Sequence, residues 1–583
     1  MRASVPVILI RVLIRSLIFS LMLSGLLAAA QTPASQVPLP TIRANTRMIL
    51  VTVVATDKSG PVTDLTARDF SVLEDGKAQK LSAFAFEKPA LGEQKSADSV
   101  PANVYTNRPD FLRPSGPLTI LLLDALNTQV RDQIYFRSEL LRYLQNEVKP
   151  GQRLAVFVLG EEIHMLQDFT TDPELLRRAL ENFRPSESLE LAQEEFMAPP
   201  PPKDMTNSAA YLRMLRILKQ LAGDHGEVTA NQKVAETLAA FRTIARSVAG
   251  NAGRKNLIWV SGSFPLTYQA QMALSSEPSR IQYYRSYERE MRQTANIMGD
   301  AEISIYPVDA RGLEGAPLVD ASNPLRDETG HAYTGAEITE MVVRSSDDRL
   351  NAQASMEEVA DLTGGRAFIN RNDIDHAVAL SMADGSSNYT LAYYPANRNW
   401  HGEFRRISLR VARKGIQLRY RNGYFAADSN QELRNRDAEL VQALRSDAPP
   451  ATMVIFDARV LPARMELPAS AYVTKKYLID YMVDPRTLSS EVLPDGGHHY
   501  NLEFHAAAFT ADGTLAAHAD MQLNSWASRA RDEVIRADGL PLHTSLQLAA
   551  GKYHLRLVVR DVRTGYLGSV DVPLVVEQPA MSD

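Results

Sequence analysis

Apolar and polar positions are most sharply divided in the run Leu118–Thr128. The stretch Leu118–Leu123 is apolar except for one threonine, and it stops at Asp124 and the small polar residues that follow. A continuous apolar run of this length predicts a strand that is buried on both faces of a parallel sheet. In open α/β sheets, ligands bind just beyond the carboxyl ends of such strands. We therefore predict that Asp124 lies at the ligand-binding edge of the sheet.

Strands and helices alternate after this run. Gln129–Val148 carries apolar side chains at helical spacing, so the first unit is a strand, an acidic loop and a helix. Ile163–Phe169 follows Arg153–Leu159 after a tight turn, which predicts one antiparallel edge strand. Further strands are predicted at Asn256–Val260, Glu302–Val308, Arg366–Asn370 and Tyr389–Tyr394, and helices at Asn231–Ala249, Tyr283–Asp300, Asn351–Thr363 and Ile374–Met382. This order predicts a doubly wound α/β domain over residues 117–395, with a surface insertion at 185–226.

A second pattern, short strands of alternating hydrophobicity separated by turn residues, flanks the α/β region on both sides. It predicts β-sandwich strands at 41–88, a β-hairpin at 396–427 that packs with them, and a C-terminal immunoglobulin-like β-sandwich at 451–583. Residues 89–116 are predicted to be a linker, and residues 428–450 a helix and linker. The C-terminal sandwich offers either a carbohydrate or protein surface or a spacer.

The first thirty residues have the layout of an export signal. Arginines precede the apolar stretch Leu17–Leu27, and Ala28–Ala30 supplies the small residues of a cleavage site. We expect a signal peptide at 1–30, a linker at 31–40 and a periplasmic or extracellular protein with no transmembrane segment after signal removal. The alternative is an uncleaved membrane anchor, because the apolar stretch is long enough to span a bilayer.

Charge and composition exclude several classes of function. The formal net charge is −6 and the pI is about 6.1, which argues against a nucleic-acid partner. The chain has no cysteine, so disulfides, thiol catalysis and thiolate metal sites are excluded. The sequence carries no nucleophile elbow, phosphate-binding loop or zinc-protease motif.

Two stretches, Gly253–Gly262 and Tyr306–Leu313, carry a family resemblance. Their sequences, GRKNLIWVSG and YPVDARGL, resemble those of the von Willebrand factor A-related proteins abundant in Acidobacteria. The resemblance covers roughly Pro117–Pro395. It implies an exported binding module of A-domain fold without known enzyme activity, with an unknown protein or cell-envelope ligand as its partner.

The resemblance also implies where a metal ion would bind. A-domains that bind ligands through a metal use an Asp-x-Ser-x-Ser motif, a loop threonine and a second aspartate. Here Asp124 matches the first aspartate, Leu126 replaces a serine, Thr128 stands for the other serine, and Ser261 occupies the position of the second aspartate. The loop threonine falls in the 185–226 insertion. We therefore expect a degenerate metal-ion-dependent adhesion site, in which Asp124 and Thr128 are the candidate ligands of a weakly held Mg²⁺ or other divalent cation. The alternative is that both residues cap the first helix.

Three more residues belong to the predicted binding edge: Asn127, Ser261 and Asp309. Asp309 ends another core strand beside Arg311. It forms either a second shell around a ligand site or an ion pair that orients the loop, or it caps the following turn while Arg311 is solvated or paired structurally. No cofactor is required by this set. The sequence favours a non-enzymatic binding or scaffold protein. The alternative is an exported hydrolase in which Asp124 and Asp309 act as general acid and base.

Overall fold

The computed structural model describes residues 48–87, 103–109, 118–146, 152–186, 232–264, 267–271, 282–286, 288–312, 334–385, 387–426, 436–463, 474–492 and 496–577. They belong to one compact unit, Arg47–Asp583. The predicted signal peptide, the 31–40 linker and nearly all of the 185–226 insertion lie outside the described residues. Within the described part of the chain, no helix combines the length and apolar character needed to span a membrane.

The strands are β1 (Ile49–Asp57), β2 (Gly60–Pro61), β3 (Phe70–Glu74), β4 (Lys77–Gln79), β5 (Leu81–Glu87), β6 (Val104–Thr106), β7 (Leu118–Asp124), β8 (Arg153–Leu159), β9 (Ile163–Thr170), β10 (Lys255–Ser261), β11 (Thr267–Gln271), β12 (Gln282–Ser286), β13 (Ile303–Asp309), β14 (Asn388–Tyr393), β15 (Glu403–Val411), β16 (Gln417–Arg419), β17 (Gly423–Ala426), β18 (Phe456–Pro462), β19 (Thr474–Val483), β20 (Glu491–Val492), β21 (His498–Phe509), β22 (Leu515–Ala527), β23 (Leu540–Ala549), β24 (Gly551–Asp561) and β25 (Leu567–Val576). The helices are α1 (Val130–Asn146), α2 (Pro173–Asn182), α3 (232–248), α4 (Glu288–Asp300), α5 (Gly335–Thr363), α6 (Ile374–Asp384), α7 (Arg436–Ala443) and α8 (Arg529–Asp538). Short 3₁₀ turns lie at Ala67–Asp69 and Pro485–Thr487.

A parallel sheet with one antiparallel edge forms the centre of the α/β region. Its strand order is β13-β10-β7-β8-β9, and only β9 runs antiparallel within this sheet. A parallel bridge from Val308 to Phe368 is all that the described residues form of the predicted strand Arg366–Asn370. Every residue of β7, β10 and β13 is buried, because helices cover both faces of the sheet. The mixed α/β fold that the sequence predicts is confirmed.

Each face of this sheet has its own apolar core. On one face, helices α3, α4 and α5 pack against residues such as Ile120, Leu122 and Trp259. On the other face, α1, α2 and α6 pack against Leu121 and Leu123. Successive strand residues point to opposite faces, so the apolar run of β7 supplies both cores.

The first sandwich joins strands from before and after the α/β region. One of its sheets has the order β16-β1-β14-β5, with β2 beside β1, and the other has the order β17-β15-β3-β4. In the first sheet Glu87 of β5 pairs with Asn388 of β14, so the chain leaves and re-enters the sandwich at neighbouring points. The α/β region is therefore an insertion between two adjacent antiparallel strands.

Three sequence-based boundaries differ from the structure. The strand predicted at Tyr389–Tyr394 within the α/β domain is β14 of the first sandwich, because the Tyr389 ring packs among Phe70 and Phe86 there. The helix predicted from Tyr283 begins at Glu288, and the residues before it pair as β12 with β11. The predicted linker 89–116 contains β6, which pairs with β18.

The C-terminal sandwich packs the sheet β23-β19-β18-β6 against the sheet β20-β21-β24-β25, with β22 also paired to β21. Buried Asn107, just after β6, donates to the carbonyls of Ala451 and Val454 and accepts from Phe456 N. On β24 we predicted an alternation of core and polar faces. The structure instead buries both faces of β24 from Leu555 to Asp561, because α7 covers the outer side there and Arg556 donates to Ala443 O beneath it.

The amino edge of the parallel sheet faces the first sandwich. Lys255 is fully buried and donates from Nζ to Ala301 O at 2.8 Å. Arg254 reaches Thr52 Oγ1 of β1 at 3.3 Å and the Tyr306 hydroxyl at 2.9 Å. Burial lowers the pKa of Lys255 to about 8 and raises the pKa of Glu302. Charged groups therefore lie inside the contact between the two layers.

Candidate functional site

The carboxyl ends of β7, β10 and β13 bring Asp124, Ser261 and Asp309 to one edge of the sheet. Ser261 is paired in register with Asp309 on the neighbouring strand. On its other side, Ser261 Oγ donates to Asp124 Oδ2 at 2.7 Å. This edge is where doubly wound sheets bind their ligands, at the point where the strand order reverses. The structure thus places the three predicted residues on adjacent strands, as a candidate site.

The Asp124 carboxylate is buried and accepts hydrogen bonds from three neighbouring residues. Asn127 donates twice, from its backbone N to Oδ1 at 3.0 Å and from Nδ2 to Oδ2 at 2.8 Å. Trp259 Nε1 and Ser261 Oγ both donate to Oδ2, at 3.0 and 2.7 Å. Burial raises the pKa of Asp124, and the hydrogen bonds from Asn127, Ser261 and Trp259 oppose this rise. The carboxylate therefore holds together β7, β10 and the loop after β7.

Thr128 contacts the loop after β10. Its Oγ1 accepts a hydrogen bond from the backbone N of Gly262 at 2.8 Å. Asn127 Nδ2 also reaches Thr237 Oγ1 of α3 at 2.9 Å. Together these contacts join the loops after β7 and β10 to helix α3.

Asp309 is bound by its own neighbours and not by Asp124. Arg311 donates from Nε to Oδ1 and from Nη2 to Oδ2, both at 2.9 Å, and its backbone N approaches Oδ1 at 3.1 Å. Gln353 of α5 adds a contact to Oδ2 at 3.3 Å. Such a bidentate pair fixes the carboxylate and neutralises its charge. The contact from the Arg311 backbone N is that of a turn cap, and the side-chain contacts are those of an ion pair that orients the loop.

Sequence reasoning missed Trp259, Thr237 and Gln353 as members of this edge. Trp259 lies inside an apolar strand, which predicts a core residue without a polar role. In the structure its indole N–H donates to Asp124 on the neighbouring strand β7. A buried tryptophan normally finds an acceptor for this group. Trp259 lies two residues before the end of its strand. From this rule, its indole N–H could have been predicted to bond with a polar group at the carboxyl edge. Thr237 and Gln353 are single polar residues on long helices and gave no comparable signal.

The atoms available as metal ligands at this edge do not fit a hard divalent cation. Mg²⁺ requires several oxygen ligands in octahedral geometry, and here both oxygens of Asp124 already accept hydrogen bonds, one of them from a tryptophan that cannot ligate. In the described ranges, no three histidine, aspartate or glutamate side chains are grouped closely enough to hold a metal. What these contacts can do chemically is fix the sheet edge and present it as a rigid surface.

Comparisons with known proteins give the following. No family model matches the chain, and no curated protein matches it. Among solved structures, the chain is similar to an aerotolerance-related membrane protein from Bacteroides fragilis, with 11% identity, a TM-score of 0.23 and coverage of 46% of this chain and 98% of that one. It is also similar to the conserved hypothetical protein BatB from Bacteroides thetaiotaomicron, with 12% identity, a TM-score of 0.20 and coverage of 46% and 99%.

A third neighbour is proximal thread matrix protein 1 from the mussel byssus. The identity is 9%, the TM-score is 0.22, and 48% of each chain is covered. Another structure of that mussel protein has a zinc-occupied MIDAS motif, the abbreviation for a metal-ion-dependent adhesion site. At these TM-scores the likeness carries no weight for function, and the proposals below rest on the residues of this chain.

Proposed function

We propose that this chain is an exported, non-enzymatic binding or scaffold protein. Its von Willebrand factor A-like α/β domain would act in protein–protein or cell-envelope interaction through a degenerate metal-ion-dependent adhesion site. The observation that carries this proposal is the Asp124 carboxylate, whose oxygens accept from Asn127, Trp259 and Ser261. A carboxylate so engaged supports a rigid binding edge and does not need a metal to be stable.

The motifs that resemble von Willebrand factor A-related proteins support the proposal through their positions. Gly253–Gly262 includes all of β10, and Tyr306–Leu313 covers the end of β13. Both stretches therefore reach the carboxyl edge beside Asp124. The antiparallel edge strand β9, predicted from the turn before it, completes the expected sheet.

The hydrolase alternative is weakened by the same contacts. A general base needs a carboxylate that can take a proton from a substrate or a water molecule. The Asp309 carboxylate accepts hydrogen bonds from Nε and Nη2 of Arg311. The Ser261 hydroxyl donates its hydrogen bond to Asp124. Asp124 itself is fully buried. In this geometry neither acid is presented to a substrate.

Thermal unfolding tests the metal part of the proposal. We expect the melting temperature of the full chain in millimolar Mg²⁺ or Mn²⁺ to differ by less than about 1 °C from that in EDTA, because a weak site stabilises little by mass action. The matched comparison is Asp124→Asn, which keeps the shape of the side chain and removes its charge. A metal-induced rise of several degrees that Asp124→Asn abolishes would show a working metal site.

Capture from the cell-envelope fraction tests the binding part. Ile134 is an exposed apolar residue on α1, within two turns of the carboxyl edge. We expect the immobilised chain to retain one envelope component equally in Mg²⁺ and in EDTA, and Ile134→Asp to reduce this retention at least about tenfold. Val441→Asp, at an exposed aliphatic on α7, is the control. Equal retention by both variants would place the binding surface elsewhere and refute the proposal.

A further inference from the structure

One tryptophan of the chain is exposed on a flat sheet. Of the three tryptophans, Trp259 and Trp400 are buried, whereas Trp526 on β22 is 57% exposed. Leaving so large an apolar ring in water is unfavourable, and exposed tryptophans are enriched at binding surfaces. Trp526 therefore needs an explanation that the packing of the C-terminal sandwich does not supply.

The ring of Trp526 is held in a fixed position. His499 lies opposite it on β21, and the two rings stack with centroids 3.9 Å apart and planes 27° from parallel. A nitrogen of the His499 ring, Nε2, is 2.5 Å from Asn524 Oδ1 and donates to this carbonyl oxygen. The imidazole is thus fixed from two sides. The indole is consequently a preformed flat surface, which lowers the entropy lost when a ligand binds.

Side-chain amides extend this surface along the strands. Asn501 is paired in register with Asn524, and Gln522 Nε2 donates to Asn501 Oδ1 at 3.3 Å. Among the described residues, the Nδ2 groups of Asn501 and Asn524 have no hydrogen-bond acceptor. Amides both donate and accept, as sugar hydroxyls do, and the pairing of rigid aromatic rings with adaptable amides is typical of binding surfaces. We call Trp526, His499, Asn524, Asn501 and Gln522 the Trp526 platform.

The surroundings of the platform are acidic. Glu491 of β20 lies opposite His499, and Glu503 and Asp520 follow along β21 and β22. The neighbouring cation, Arg560, is bound to Glu503 and mostly buried. Carboxylates accept hydrogen bonds from hydroxyl groups and repel polyanions. The charge therefore disfavours an acidic polysaccharide, whereas the carboxylate oxygens can accept hydrogen bonds from the hydroxyl groups of a neutral one.

The exposed area that includes the platform runs along β21 and β22. Next to them, α7 covers the same sheet, because Leu440 packs with Val558 and Arg556 donates to Ala443 O. A row of alternate β22 residues from His518 to Trp526 stays exposed. This row extends over nine residues of β22, which is long enough to lie along several units of a linear chain of sugars.

We propose that the Trp526 platform binds a neutral polysaccharide of pyranose sugars. One sugar ring would stack its apolar face on the Trp526 indole, while hydroxyl groups of this and the next sugar bond to Asn524, Asn501 and Gln522. This site lies on a different module from Asp124 and does not rest on the proposed function of the α/β domain.

The test is binding of neutral hexasaccharides by the full chain, with cellohexaose, xylohexaose, mannohexaose and chitohexaose as probes. Isothermal titration calorimetry gives the affinity, and tryptophan emission reports contact with the ring. We expect at least one probe to bind, Trp526→Ala to weaken it at least about tenfold, and Asn524→Ala to weaken it at least about threefold. Trp526→Phe should retain part of the affinity, because it keeps an aromatic face.

Tyr394→Ala is the matched control, since Tyr394 is an exposed aromatic residue of the first sandwich. It should leave probe binding unchanged, and all variants should keep the circular dichroism spectrum of the parent chain. The proposal is overturned if the parent chain binds none of the four probes, or if Trp526→Ala binds as the parent does. A dimer that sedimentation detects and Trp526→Ala dissociates would also overturn it, by assigning the face to a second copy of the chain.

Discussion

The two edges of the parallel sheet bury charged groups in opposite ways. At the carboxyl edge, Asp124 accepts from Asn127, Trp259 and Ser261, and Asp309 is paired with Arg311. At the amino edge, Lys255 donates to a single carbonyl, and Glu302 Oε2 accepts no hydrogen bond from the described residues. The first edge is internally satisfied and the second is not.

The difference shows which edge contributes to stability and which reduces it. A buried polar group without a hydrogen bond costs about 1–3 kcal/mol, whereas a fully bonded network adds rigidity. The edge that binds ligands in other doubly wound sheets is therefore the rigid one here. The cost of buried charge lies at the opposite edge, where the sheet meets the first sandwich.

The largest effect should come from Asp124→Ala. It leaves the buried indole N–H of Trp259 without an acceptor and removes one of the two acceptors of the Asn127 and Ser261 side chains, so we expect the free energy of unfolding of the α/β region to fall by about 3 kcal/mol. Urea unfolding measures this, with Trp400 and Trp526 replaced by phenylalanine so that emission reports Trp259 alone. Asp124→Asn keeps one acceptor oxygen and should lose about half as much. An unchanged urea midpoint in Asp124→Ala would contradict the inference that the hydrogen bonds at the carboxyl edge stabilise the fold.

An intermediate effect should come from Lys255 at alkaline pH. Its pKa is about 8 in the folded chain against 10.5 in the unfolded chain, so the unfolded state binds more protons between these values and stability rises with pH there. We expect the folded chain to gain about 2 kcal/mol, relative to Lys255→Met, between about pH 7.5 and about pH 9.5. Parallel urea curves of both proteins at the two pH values measure this gain. A constant difference would mean that Lys255 is not desolvated.

The smallest effect should come from Glu302→Gln. Burial raises the pKa of Glu302, so its charged form costs stability at neutral pH, and the neutral amide should add up to about 1 kcal/mol there. This gain should shrink as the pH falls from the raised pKa toward the ordinary value of 4.5, because only below that value is the glutamate protonated in both the folded and the unfolded state. Glu357→Gln, at an exposed position of α5, is the control. A loss of stability in Glu302→Gln would show that the attraction between its charge and Lys255 outweighs desolvation.

The sequence was sufficient where one chemical signal dominates. Apolar runs identified β7, β10 and β13, because a strand covered by helices on both faces is mostly apolar instead of alternating between apolar and polar residues. The turn before β9 identified the antiparallel edge, and the acids at the strand ends identified the edge where the candidate site lies. These features depend on neighbours in the chain.

The sequence was insufficient where partners are far apart in the chain. Tyr389–Tyr393 has the composition of any buried strand, and only β1 and β5 decide that it belongs to the first sandwich. Likewise, β6 is too short to stand out and becomes a strand because β18 pairs with it. At the candidate site, Asp124 and Trp259 are 135 residues apart in the sequence, so no local pattern predicts their contact.

The insertion of the α/β region between β5 and β14 also sets the order in which the chain can fold. The backbone N of Leu65 donates to the Tyr389 hydroxyl, which is synthesised 324 residues later. Asn107 Oδ1 accepts from the backbone N of Phe456, which is synthesised 349 residues later. At synthesis rates of roughly 5–20 residues per second, β1, β3, β5 and β6 remain without their distant partners β14, β15 and β18 for roughly half a minute. A nascent chain that stops before residue 388 therefore carries exposed strand edges from one sandwich and an orphan strand from the other. Contacts this distant in sequence make slow folding and early aggregation the main hazards of its biogenesis.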